Sequence, residues 1–144
     1  MSAEESKVLV HRHTEEFWNQ GKLDVAAEIH AVDFIFHPPS LPEMHGIEAY
    51  NQFAIMYRTA FPDLRFTSED VIVAGDKVVE RWTSTATHQG ELMGIPPTGK
   101  WSKTTGISIF RVADGKLAEQ WVNWDMLGVL QKIGVIPPFG GGGE

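Results

Sequence analysis

The chain has 144 residues, carries 12 Lys plus Arg against 19 Asp plus Glu for a formal net charge of -7, and contains no cysteine. That length fits one domain with a real core and leaves no room for a second. The acidic balance and scattered basic residues exclude a nucleic-acid footprint, the absence of cysteine excludes disulfides, thiolate catalysis and Cys-ligated zinc, and no apolar run reaches membrane-spanning length.

Val10, Thr14, Phe17 and Trp18 share one helical face and Gly21 supplies a stop, so a first helix is expected from about Glu4 to Asn19. A short second helix, roughly Asp24 to His30, follows with Asp24 as its N-cap. Phe34 to His37 reads as a short strand that Pro38 and Pro39 end, because proline offers no ladder donor. Ile47, Tyr50, Ala54, Tyr57 and Phe61 fall at helical spacing and predict a third helix closed by Pro62.

From Leu64 the period becomes strand-like. LRFTSEDVIVAG, KVVERWTSTATHQGEL, KWSKTTGISIFRV and KLAEQWVNW form an expected antiparallel meander, divided by Gly75-Asp76, by GIPPTG and by Asp114-Gly115. Helices first and strands after give an α+β fold, in which a long bent antiparallel sheet makes a half-open cone closed by the three N-terminal helices. MLGVLQKIG supplies a short C-terminal helix; a single domain is expected over residues 1–136, with residues 137–144 as a mobile Pro/Gly-rich tail.

The stretch from Arg111 to Gly134 delivers a carboxylate, Asp125, from an aromatic strand into a helix start. Asp125 also suits a plain N-cap of that helix. Along the strand, Glu119, Trp121 and Asn123 share the parity of Asp125, whereas Gln120, Val122 and Trp124 have the other; Trp82, Ser84, Ala86 and His88 share one face of the second strand. A bulge could reset the phase between the two strands. His37 and His88 could orient a carbonyl or relay protons beside Asp125, while Arg81 and Glu119 read as an ion pair that fixes register.

Other features read as plain structure. His11 and His13 diverge by about half a turn and cannot form the helical i, i+4 metal pair, and none of the six histidines has a second ligand at the right spacing, so no metal site is expected. GIPPTGK lacks the glycine spacing of a phosphate loop, and no Ser or Thr stands in a nucleophile elbow.

Taken in order, FWNQGKLD, His37 before two prolines, HGIEAY, FPDLRF, VERWTSTATHQGELMGIPPTGK, GISIFRV and EQWVNWDMLGVLQKIG resemble the SnoaL-like polyketide cyclases and related ester-cyclase-like proteins, which have the nuclear-transport-factor-2-like cone fold. The resemblance implies a cofactor-independent, aldol-type ring closure. An acid matching Asp125 would remove a proton next to a carbonyl and later protonate the new alkoxide. A carboxylate of reference pKa ~3.9 is a feeble base unless desolvation raises it, which burial beside Trp82, Trp121 or Trp124 would do. The expected catalytic set is therefore Asp125, His88 and His37, with Trp82, Trp121, Phe17, Tyr50, Tyr57 and Phe110 around the ligand, and neither cofactor nor metal. The expected partner is a small apolar or carbonyl-rich ligand, with no nucleic acid and no membrane. Two other readings stay open: a non-catalytic carrier of small hydrophobic ligands, and a hydrolase or isomerase on the same cone. The resemblance implies a homodimer or larger homo-oligomer built on the outer face of the sheet. The first residues, Met-Ser-Ala-Glu-Glu, have neither the basic nor the apolar region of a signal peptide, so the expected location is cytoplasmic.

Overall fold

The computed structural model describes residues 1–137. Helix α1, Ala3–Arg12, starts on a reciprocal cap: the Ser2 hydroxyl accepts from the Glu5 amide at 3.0 Å and the Glu5 carboxylate accepts from the Ser2 amide at 2.8 Å. It runs on without a break as a wider, π-helical segment, His13–Asn19, so together the two match the expected span. The second helix is shorter than expected. A 3-10 turn, Leu23–Val25, leads into α2, Ala26–Ile29, and Asp24 lies inside the turn, where it caps nothing.

Strand β1, His30–His37, begins four residues before the expected segment, and a two-residue strand β2, Met44–His45, pairs back onto it. Helix α3 spans Ile47–Ala60 and presents Tyr50, Phe53 and Ala54 to the core. The meander follows as β3, Arg65–Ala74; β4, Lys77–Thr87; β5, Trp101–Ala113; and β6, Lys116–Trp124. Its last hairpin turns on Asp114 and Gly115, both at positive φ (51° and 75°), the backbone that a tight two-residue turn demands. Helix α4, Met126–Lys132, is the last element among the described residues. Apart from Pro137, the expected tail lies outside the described residues.

The six strands lie in the order β2-β1-β6-β5-β4-β3. Strands β3 to β6 are antiparallel neighbours in chain order, as expected, but β1 lies parallel to β6 and makes the sheet mixed. The helices cover one face of this curled sheet. Register carries one inward face across three strands: Val78, Phe110 and Gln120 align, then Glu80, Ser108 and Val122, then Trp82, Gly106 and Trp124. Gly106 is needed in the third row, since a Cβ there would stand 2.2 Å from the buried Trp82 ring. The missing side chain lets the indole lie flat across β5, where its N–H donates to the Ser108 hydroxyl at 3.1 Å.

Candidate functional site in the mouth of the cone

Between the sheet and the helices lies an aromatic space walled by Trp18, Phe36, Phe53, Phe66, Trp82 and Trp124. Its volume is about 90 Å³, below the ~150 Å³ of a cavity that accommodates benzene. A ligand of several rings therefore cannot be held wholly within it and has to extend to its open rim.

The deep end is polar. The His30 ring sits 3.1 Å from the Ala26 carbonyl through Nδ1, and a carbonyl only accepts, so Nδ1 carries the proton and Nε2 is an acceptor. His13 Nδ1–H then donates to His30 Nε2 at 2.9 Å, which leaves His13 Nε2 facing the Tyr50 hydroxyl at 3.3 Å. That hydroxyl accepts from the Trp18 indole and donates to Gln120 Oε1, both at 3.0 Å, and Gln120 Nε2 donates to Ser108 at 3.2 Å. Burial holds both imidazoles below their ordinary value, His13 well below and His30 down to about 4, and pushes the Tyr50 phenol up.

Glu80 is the carboxyl inside the space. Only 3% exposed, it accepts from the Thr14 hydroxyl at 2.7 Å, and burial raises it above the usual carboxylate range. Strand alternation could have found it, because the face shared by Trp82, Ser84, Ala86 and His88 runs back to Glu80. A carboxyl with a raised folded-state pKa contributes stability that is present below pH 4.5 and lost as pH rises through its folded value. Glu80→Gln should therefore raise the thermal midpoint at neutral pH, by an amount that shrinks as the pH is lowered toward 4.5. Equal midpoints across that range would show that the carboxyl is not desolvated.

The sequence-predicted residues separate. Trp82, Tyr50 and Tyr57 line the space, while Phe17 and Phe110, both fully buried, pack in the core beside His13 instead. Trp121 was expected inside but faces outward, because register gives the inward positions of β6 to Gln120, Val122 and Trp124. His37 pairs with Trp121 across the β1–β6 ladder and shares its outer side, the two rings stacked within 1° of parallel at 5.2 Å. His37 Nε2 lies 2.6 Å from Glu119, whose other oxygen accepts from Arg111 at 3.1 Å, so Arg111 and His37, rather than Arg81, partner this acid. Burial alone would raise the Glu119 carboxyl, but the bonds from His37 and Arg111 hold it below the usual range.

His88 is fully buried, yet behind the wall: its ring packs on Phe61, and Nδ1 accepts from the Thr98 amide at 3.3 Å. Asp125 is exposed rather than enclosed, and its Oδ1 caps α4 by accepting from the Gly128 amide at 2.9 Å. It nevertheless stands at the rim, since Trp124 before it and Val129 after it both line the space, and the hydroxyl of pocket-lining Thr104 donates to its main-chain carbonyl at 3.3 Å.

Residues 8–133, nearly the whole of the described chain, match the family described as SnoaL-like polyketide cyclase. The chain belongs to that family. This SnoaL-like chain is 28% identical over 127 residues to aklanonic acid methyl ester cyclase DnrD of Streptomyces peucetius, an alignment covering 85% of the chain and 87% of DnrD. Its fold superposes on a SnoaL-like protein of Jannaschia sp. CCS1 with a TM-score of 0.88 at 30% identity, covering 96% and 98% of the two chains. TsrD of Streptomyces laurentii follows at 0.85 and 25%, covering 94% and 99%. Among the described residues no helix is long and apolar enough to cross a membrane.

Proposed function

We propose that this chain is a cofactor-independent cyclase that closes a ring by proton transfer next to a carbonyl, with Asp125 as the base. Asp125 takes the proton from carbon, the enolate carbon attacks a second carbonyl of the same molecule, and the proton returns to the resulting alkoxide. Product and substrate are isomers, so no external reductant or oxidant enters. The observation that carries the reading is the position of Asp125 at the rim of the aromatic space, between Trp124 and Val129, which both line it. A polycyclic substrate that occupies the space covers the rim, so the bound ligand itself strips water from the carboxylate. Glu80 is a poorer base for such a substrate. By strand spacing and register it lies roughly 14 Å from Asp125, two strands away across the sheet.

The proposal includes a homo-oligomer formed on the outer face of the sheet, supported by Ile107 and Ile109, which are 51% and 39% exposed there. The test of function offers the purified chain aklanonic acid methyl ester, named for the relative's reaction, with no cofactor added, and follows ring closure and uptake of solvent deuterium at carbon. Ring closure above the uncatalysed rate is expected. Binding without closure or deuterium uptake would overturn the enzyme reading in favour of a carrier.

A further inference from the structure

Three buried side-chain atoms have no hydrogen-bond partner among the described residues: Asn51 Oδ1, His88 Nε2 and the Tyr57 hydroxyl. Of these residues only Tyr57 lines the aromatic space. An unpartnered buried polar group is costly to keep, and native folds rarely retain one without a use. Tyr57 projects from α3 with its ring edge-on to Trp124, the residue that precedes Asp125, at 5.8 Å and packed on Phe53 at 4.9 Å, so the ring sits among apolar neighbours. The contrast with Tyr50 is informative, because that hydroxyl accepts from Trp18 and donates to Gln120.

We propose that the Tyr57 hydroxyl is the hydrogen-bond donor that takes a carbonyl oxygen of the ligand and holds it at the rim. On the cyclase reading, from which the identity of that oxygen follows, it is the oxygen that gains charge as the enolate forms. The assignment makes the ligand a carbonyl-bearing aromatic rather than a plain hydrocarbon. Burial pushes the phenol above its ordinary range, so it stays protonated and can donate at any pH at which the protein works. A donor held in an apolar wall cannot be replaced by water once the ligand is seated.

The experiment uses the full chain, the variant Tyr57→Phe, and two probes of matched shape, anthraquinone sulfonate and anthracene sulfonate, with binding read by quenching of tryptophan fluorescence. The parent should bind the quinone more tightly. Tyr57→Phe should weaken quinone binding about tenfold, leave the hydrocarbon unchanged, and keep the urea midpoint at or above the parent's, because no intramolecular bond is lost. Tyr50→Phe, which does lose such bonds, should lower that midpoint. Equal losses for the two probes, no loss for either, no binding of either probe by the parent, or a lower midpoint for Tyr57→Phe would each overturn the assignment. Because binding is read without turnover, selectivity for the quinone that depends on Tyr57 would stand even if no ring closure were found, in which case the cyclase reading alone would fail.

Discussion

Between about pH 6.5 and pH 4 the folded chain is expected to lose on the order of 3 kcal/mol of stability through its buried histidines, as much as many small domains can spare. His13 and His30 are 3% and 1% exposed and hold each other by the 2.9 Å bond. A second proton on either ring would aim two N–H groups at one another or at the Tyr50 network, with no solvent to screen the charge. Both rings are therefore neutral in the fold and charge only on unfolding, so below pH 6.5 the unfolded chain binds more protons. This contribution is fully present above pH 6.5 and is lost as pH falls through the folded value, which for His30 is about 4. Glu80 acts in the opposite sense, since its raised carboxyl favours the fold at low pH, so the fall should be steeper in Glu80→Gln than in the parent. Urea unfolding at about pH 7.5 and about pH 4.5 measures the difference. A stability that stays level over that interval would mean that the pair accepts a proton in place and is not held neutral.

How much of this was legible in the chain follows from the range of each determinant. The two tight turns rest on residues that tolerate positive φ, and the antiparallel order of β3 to β6 was accordingly readable. The parallel seam between β1 and β6 joins segments more than 80 residues apart, with no local chemistry to announce it. That seam also decided the fate of His37, because it set the ring beside Trp121 on the outer side of the sheet. The phase of the meander is a second nonlocal quantity. An unbroken register from Trp82 through Gly106 to Trp124 turns Trp124 inward, and Trp121, three residues earlier, must then face out. Glu80 is masked in the sequence because an acid between Val79 and Arg81 reads as a surface charge until alternation with Trp82 is followed back along the strand. His13 and His30 lie on different elements, and only the fold brings the rings together.

Asp125→Asn should lower turnover on any confirmed substrate by about 10² to 10⁴, the usual worth of a general acid-base group, while ligand binding persists. Asparagine caps a helix about as well as aspartate does, so the urea midpoint should hardly move, whereas Asp125→Ala should lose turnover together with about 1 kcal/mol of stability. Gly128→Ala separates position from chemistry. A Cβ at Gly128 would lie 2.1 Å from Oδ2 of Asp125, so the carboxylate has to leave its seat while the acid itself remains. Alanine also favours a helix by roughly 1 kcal/mol over glycine, which offsets much of the lost cap. The expected result is a variant of near-parental stability whose turnover falls because the base points elsewhere. Glu80→Gln is the contrasting case and should keep its turnover, since by strand spacing and register that carboxyl stands roughly 14 Å from Asp125. Turnover by Asp125→Asn within about a factor of two of the parent would remove Asp125 from the mechanism, because general-base catalysis cannot be lost so cheaply. Loss of turnover in Glu80→Gln with Asp125→Asn intact would move the chemistry to the deep end, and would require the aromatic wall to open well beyond the 90 Å³ it now encloses.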